Sequence, residues 1–411
     1  MKLKSIVVAS AVFVLGLGAS AYASTGVASA SSKTDPRQDM TDLQSRSSQI
    51  EATLNQNEGS ALAAKPYLGD DWTKRVVVSG ELNVDAKARS TYGPTGTGAS
   101  AISRFQDEGS SDIYLNNSQI DIDAFVNSWT QAHISLTGND PMEQDAARYN
   151  STGDNAPINL DEAYVTVGNL DKYPVYGTFG RQYVPFGMYD RHAIEPSLSQ
   201  YLSQTQATAA KVGVAMPMGV YGSLYTFRGN THTATSTDYN INDFGAEVGY
   251  ANHVNAGSMP LGYQVSVGYL HNLADVDWIS YVDSSAGDPT PAMSANAKLT
   301  SGPFSLAGNY VTALEDFGVG SAVNGDSPWA FDLTGGYNFD VMGHDSNFSL
   351  TYQQSGETEA LGLPKRRYGG MYTVGVLKDT SVTFMLLEDE NFDNNAEDFS
   401  TEGAVRLSVD F

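Results

Sequence analysis

From Lys74 to the end of the chain, apolar and polar residues alternate with a period of two. Val76, Val78, Leu82, Val84 and Ala86 fall opposite Arg75, Ser79, Glu81, Asp85 and Lys87. Ile120, Ile122, Ala124 and Val126 share one face, with Asp121 and Asp123 on the other. Tyr263, Val265, Val267 and Tyr269 stand against Gln264 and Ser266, and Val405, Leu407, Val409 and terminal Phe411 against Arg406, Ser408 and Asp410. Successive side chains of a strand point to opposite faces, so each stretch predicts a β-strand with one greasy and one polar face.

Sixteen such segments are predicted, near residues 74–87, 118–127, 129–138, 161–168, 173–182, 208–216, 219–228 and 241–251, then 261–271, 292–300, 303–314, 328–339, 347–354, 367–377, 380–388 and 402–411. Asn127-Ser128, Asn169-Leu170-Asp171, Pro217-Met218, Ser301-Gly302 and Lys378-Asp379 make tight links. The links between those are long and rich in Gly, Asp, Asn and Ser. Short turns alternating with long loops on an even number of strands predict an all-β fold: a 16-stranded antiparallel transmembrane β-barrel over 74–411. A soluble sandwich has no reason to sort its loops by parity. Sixteen strands enclose an aqueous lumen instead of a filled core.

Ahead of the barrel the pattern changes. Lys2 and Lys4 precede an apolar run from Ile6 to Gly18, and Ala21-Tyr22-Ala23 offers a small-x-small cleavage site. That predicts a signal peptide over 1–23 and a mature start at Ser24; the run is shorter than the roughly 20 residues of a spanning helix. In the periplasmic segment 24–73, Asp35-Pro36 opens a helix near 35–58 with Met40, Leu43, Ile50 and Leu54 on a heptad stripe. So polar a helix is marginal alone and needs self-association or docking on the barrel. Gly59 to Trp72 reads as the linker.

Composition narrows the classes. The chain has no cysteine, which excludes disulfides, thiolate metal sites and a lipoprotein anchor. Its 40 glycines, 23 tyrosines and 16 phenylalanines suit a barrel with aromatic girdles. A formal net charge of −24 argues against a nucleic-acid partner. The stretch from Glu388 to Glu402 is a run of carboxylates without a base. No G-x-S-x-G, H-E-x-x-H or phosphate-binding glycine loop occurs, and the histidines (133, 192, 232, 253, 271 and 344) lack metal-ligand spacing. No enzyme activity, cofactor or metal is expected.

With the apolar stripe toward lipid, the lumen should take Arg75, Glu81, Asp85, Asp121, Asp123, His133, Glu162, Lys211, Glu247, Lys298, Asp332, Arg406 and Asp410. Acids outnumber bases there, so the wall should favour cations. The third long loop, between the fifth and sixth strands, breaks the trend. Arg181, Arg191 and His192, with Lys211 beyond, stand with Asp190 and Glu195, while Tyr183, Phe186 and Tyr189 supply flat surfaces. Folded into the lumen, Arg181, Tyr183, Phe186, Tyr189, Arg191, His192 and Lys211 would form a constriction able to hold an anionic solute. Left at the rim, the same arginines would pair with acidic loops or lipid phosphates. Lys365-Arg366-Arg367 is the one basic triplet, read as charge at the mouth that could attract lipopolysaccharide.

The stretch Leu160-Asp161-Glu162-Ala163-Tyr164-Val165, with Tyr176-Gly177-Thr178-Phe179-Gly180-Arg181-Gln182-Tyr183-Val184-Pro185-Phe186-Gly187, resembles the LbtU-type siderophore porin family of outer-membrane proteins. The leader, the helical region and the ending on Phe411 agree with it. Only this central stretch is motif-like, and its Gly-x-x-x-x-Pro-Phe theme occurs in other porins. The resemblance implies uptake of a ferric siderophore. Energy-coupled transporters surround a plug with about 22 strands, whereas only about 50 residues separate Ser24 from the barrel. Passage would therefore be passive or facilitated. Expected partners are outer-membrane lipid and lipopolysaccharide, a small solute or ferric siderophore, further copies of the chain in a homo-oligomer, and the barrel-assembly machinery. That machinery would read the terminal aromatic, because the last strand resembles those that close outer-membrane barrels. The alternative is a structural or adhesive surface protein displaying acidic loops.

Overall fold

The computed structural model describes residues 75–90, 109–140, 158–190, 193–229, 240–256, 259–282, 289–318, 321, 323–392 and 399–411. The leader, the 24–73 segment with its expected helix, and Arg191 and His192 lie outside the described residues. The first eight strands are β1 (Val76–Arg89), β2 (Ser110–Phe125), β3 (Thr130–Asp140), β4 (Ile158–Gly168), β5 (Val175–Tyr183), β6 (Gln206–Ala215), β7 (Val220–Phe227) and β8 (Asp243–Ala256). The rest are β9 (Met259–Leu270), β10 (Ala292–Ser301), β11 (Phe304–Ala313), β12 (Trp329–Val341), β13 (His344–Gly356), β14 (Arg366–Leu377), β15 (Thr380–Glu390) and β16 (Phe399–Asp410). Each pairs antiparallel with its chain neighbours, and β1 pairs with β16 from Glu81↔Asp410 to Arg89↔Glu402, which closes the barrel.

Every predicted segment overlaps its strand, and the differences have local causes. β2 starts earlier than the alternation suggests because register shifts at Asn83/Val84 and at Leu115/Ser118 break its period. In β4 the shift between Ser135 and Leu136 of the partner leaves Asp161 as the extra residue, hiding the strand's start at Ile158. Bulges of this kind bend the strand and reset which face a side chain takes. Two further links proved tight. Ala256 pairs with Met259, and Met342-Gly343 joins β12 to β13 with both residues at positive φ, the pairing a two-residue hairpin favours.

The ending is seated in the wall. Phe411 N donates to Gly80 O at 3.0 Å, and Gly80 N to Phe411 O at 2.9 Å. A Cβ on Gly80 would lie 2.4 Å from the Phe411 ring, so glycine there makes room for the terminal aromatic.

Polarity runs opposite to that of a soluble protein. Leu82, Ile134, Phe179, Val265, Leu350 and Leu407 are exposed on the outside. Asn83, Asp85, His133, Glu162, Lys211 and Asp332 are buried on the inner face. Near the turn end, Phe304, Tyr337, Phe339, Tyr372 and Phe384 make ring contacts from β11 to β15, part of an aromatic girdle. No helix among the described residues is long and apolar enough to cross a membrane; the strands do so. A closed antiparallel barrel with an apolar outside and a polar inside is a protein of the bacterial outer membrane.

Candidate constriction in the barrel lumen

The described parts of the loop between β5 and β6, residues 184–190 and 193–205, turn inward. Val184 N donates to Thr205 O at 3.0 Å, pinching its neck. Gly187 sits at φ +98°, and a Cβ there would lie 2.6 Å from Ser203 Oγ. Its αL-side backbone therefore lets the descending and returning arms touch. A short helix, α1 (Leu198–Tyr201), is capped by the Ser197 hydroxyl accepting from Gln200 N.

Apolar packing holds this loop against one side of the wall. Phe186, Leu198 and Leu202 are fully buried with Tyr225, Phe227 and Leu270 of the inner face. A second helix from the β9–β10 loop, α2 (Asp277–Val282), joins them through Ile279. Trp278 meets Tyr201 edge-on at 5.1 Å and donates its indole N–H to Leu361 O at 3.0 Å, tying in the β13–β14 loop. Burying each such Phe or Leu contributes about 1.5–3 kcal/mol. The inner wall turns apolar at Leu270, Val311 and Ala330, where it must receive this cluster.

Polar contacts fix the loop's far end. Leu198 N donates to Gln353 Oε1 at 2.9 Å, and Ser199 Oγ donates to Asp332, whose other oxygen accepts from Asn309 Nδ2 at 2.6 Å. The loop thereby crosses the lumen to a charged strip on β14, β15, β16 and β1. There Arg406 forks onto Asp85 at 2.7 and 2.8 Å, and Arg367 onto Asp389 at 2.7 and 2.9 Å. Lys87 Nζ lies 2.8 Å from Glu402, which Arg89 Nε also reaches. Glu195 completes the strip from the loop: 2.7 Å from Lys87, 3.6 Å from Arg89 and 3.6 Å from Arg367. The cations Lys87, Arg89, Arg367 and Arg406 meet the carboxylates Asp85, Glu195, Asp389 and Glu402, so the acidic bias expected for the wall is balanced here.

The sequence candidates separate. Phe186 is in the lumen, as the loop's main apolar anchor. Tyr189 is half-buried farther along the same arm. Lys211 faces inward on β6, 1% exposed, with its ammonium 6.0 Å from the centre of the Tyr176 ring. Arg181 and Tyr183 are elsewhere: they share outward parity with exposed Phe179, and Gln182 takes the lumen position between them. Arg181 Nε donates to Leu160 O and Asp161 O at 3.1 Å and its guanidinium to Gln206, while Tyr183 OH donates to Asp161 at 3.0 Å. Motif proximity had grouped them with the loop, but strand parity turns them out.

Lys87, Arg89, Arg367 and Glu402 were missing from the sequence-derived site. The signal was available in part, since all four carry inward parity. Arg366, next to Arg367, is by contrast 40% exposed in its side chain and pairs with Glu390. A second polar group lies on β2–β4, where His133 Nδ1 is 2.8 Å from Asp123 and its ring stacks on Tyr164 at 5.0 Å. Among the described residues no group of three or more His, Asp or Glu could hold a metal ion.

These features define a 16-stranded outer-membrane barrel of the porin fold with a loop folded into its lumen. Solved structures share that fold. The outer membrane channel DcaP of Acinetobacter baumannii superposes with a TM-score of 0.51 at 14% identity, over 82% of this chain and 97% of that one. The anion-selective porin from Comamonas acidovorans gives 0.54 at 10% identity, over 82% and 99%. Salmonella typhi OmpF gives 0.52 at 12%, over 82% and 97%. In sequence the chain is 26% identical over 333 residues to a UPF0422 protein of Coxiella burnetii, covering 78% of this chain and 66% of that protein. It is 26% identical over 290 residues to a UPF0422 protein of Legionella pneumophila strain Lens, covering 66% and 52%. The chain thus spans just under two-thirds of the first relative and about half of the second. No known family profile matches it.

Proposed function

We propose that the protein is a porin: a passive route for small hydrophilic solutes across the outer membrane, narrowed by the β5–β6 loop. The observation that carries this reading is the loop's span, from its neck at Val184 and Thr205 to Lys87 and Arg367 on the opposite wall, inside a barrel whose inner face is polar. A purely structural barrel needs neither an ion-paired inner wall nor a loop bolted across it. Phe186, Tyr189 and Lys211 then belong to the constriction, with Glu195 and its cations at the narrowest charged point. Reconstitution of the folded chain in planar bilayers tests this directly. Discrete conductance steps are expected, and their absence would leave the structural or adhesive alternative standing.

Two finer assignments belong to the same proposal. Transport of a ferric siderophore follows from the resemblance around Gly180 and Phe186, and should show as loss of labelled iron–siderophore uptake on deletion. Terminal Phe411, 68% exposed, is available to barrel-assembly machinery. Its truncation should lower the folded yield in cells while leaving in vitro folding into detergent largely intact. Self-association is read by cross-linking in native membranes.

A further inference from the structure

We propose that Asp243 and Asp275 form a proton-held latch that seats the β9–β10 loop, and through it the constriction, against the barrel wall. Its effect on flow rests on the porin reading; the latch itself does not.

The two carboxyls come from separate elements. Asp243 opens β8 on the wall, and Asp275 ends a 3-10 helical turn, Leu273–Asp275, in the β9–β10 loop. Both are 2% exposed. Their Oδ2 atoms each lie 2.3 Å from the one point that a Cβ on Gly229, just past β7, would occupy. The two side chains hydrogen-bond each other, and Gly229 donates its backbone N–H to Asp243. Two carboxyls share a hydrogen bond only while one of them keeps its proton. Asn272 Nδ2 donates to Asp275 Oδ2 at 3.0 Å, and the Asn242 amide donates to Asp243 Oδ2 at 3.1 Å. These neutral donors suit a pair carrying one negative charge; two charges in so buried a space repel.

The latch lies directly behind the constriction. Leu273, Ala274 and Val276, on either side of Asp275, are fully buried in the cluster that receives Phe186. Losing the shared proton therefore pushes the seat of the β5–β6 loop away from β8. Three other groups that carry or gain charge stand nearby: Arg228 is exposed beside Gly229, His271 stacks on Phe244 at 4.5 Å, and Asp277 lies two residues past Asp275. An acid that must be protonated to dock favours the docked state at low pH. That contribution is lost as pH rises through its docked value.

The test is hydrogen exchange of the folded full-length protein in lipid vesicles between about pH 6.5 and 9.5, a range in which buried acids still release protons. Protection of Leu273 N–H, bonded to Thr290 O, and Val276 N–H, bonded to Leu273 O, should fall about tenfold per pH unit above the step. Asp243→Asn should remove the step, whereas Asp277→Asn and His271→Gln should leave it in place. A wild type without the step, a step that survives Asp243→Asn, or one lost in either of the other variants would overturn the latch. If Asp243→Asn does not fold, infrared difference spectra of the wild type read the proton directly. A protonated-carboxyl band should vanish over the same pH range as the protection, and its absence or loss at another pH refutes the proposal. Bilayer conductance separates the two claims: channels without the exchange step sink the latch alone, and the step without channels sinks the porin reading alone.

Discussion

Phe186→Ala is the sharpest perturbation of the constriction. The side chain is fully buried, and its ring lies 3.2 Å from where a Cβ on Gly268 would sit, so the wall opposite it is a close-fitting glycine. With Leu198 and Leu202 it supplies the large apolar anchors of the loop, together contributing about 5–9 kcal/mol at about 1.5–3 kcal/mol each. Truncating a buried Phe to Ala costs about 3–5 kcal/mol, cavity included, roughly half of that anchorage. The barrel ladder is untouched, so heat-modifiable migration on gels should stay near wild type. Loop amides should respond instead. Val184 N–H, bonded to Thr205 O, and Ser203 N–H, bonded to Gln200 O, report docking through hydrogen exchange. At a factor of ten per 1.4 kcal/mol, their exchange should accelerate about a hundredfold to several thousandfold. Single-channel conductance should rise and become noisier. Unchanged exchange at these amides would mean that the polar bolts, not the apolar cluster, hold the loop, and the packing argument would be wrong.

Three other outcomes follow from the same geometry. Arg406→Ala strands Asp85, which is 0% exposed, and breaking such a buried pair costs about 3–5 kcal/mol. The urea midpoint in lipid vesicles should fall, and Asp85→Leu with Arg406→Met should recover most of it; a double variant no better than the single one would contradict the desolvation account. Burial pushes the Asp277 carboxyl up to about 6, against the opposing hydrogen bonds from Gln206 N and Gln204 and the Arg181 charge, with Asp161 adding to the rise. An acid whose pKa is raised on docking favours the docked state while protonated. That contribution is present below the usual carboxylate value near 3.8 and is lost as pH rises through about 6. Amides of 277–282 should thus be better protected at pH 4 than at pH 7.5, and the reverse order would refute the sign. Finally, Arg181→Glu, on the outward face, should leave ion selectivity nearly unchanged, whereas Arg367→Glu should shift reversal potentials toward cations. A large shift from Arg181→Glu would return that residue to the lumen.

Much of the architecture was legible because a membrane barrel writes its two solvents into alternate residues. Val405, Leu407 and Val409 against Arg406 and Asp410 needed no tertiary knowledge to be assigned sides. Tight links sorted by parity supplied the strand count. Where the period broke, at the β2 register shifts and at Asp161, the sequence understated strand length, because a bulge inserts a residue without changing composition. Arg181 was misplaced for a related reason: a motif groups residues by proximity in sequence, while neighbouring strand residues face opposite solvents.

The sequence by itself determined the alternation, the number of strands and, where no bulge interrupts the period, the side of the wall a strand residue faces. Which inward charges meet was decided by the tertiary structure alone. Lys87 and Arg367 are far apart in the chain and lie on β1 and β14, which come near each other only because β1 closes onto β16. Glu195 reaches them only because Phe186, Leu198 and Leu202 find an apolar patch on the inner wall. Period-two patterning encodes a residue's side; barrel closure and loop docking bring distant residues together, and no local pattern carries that information.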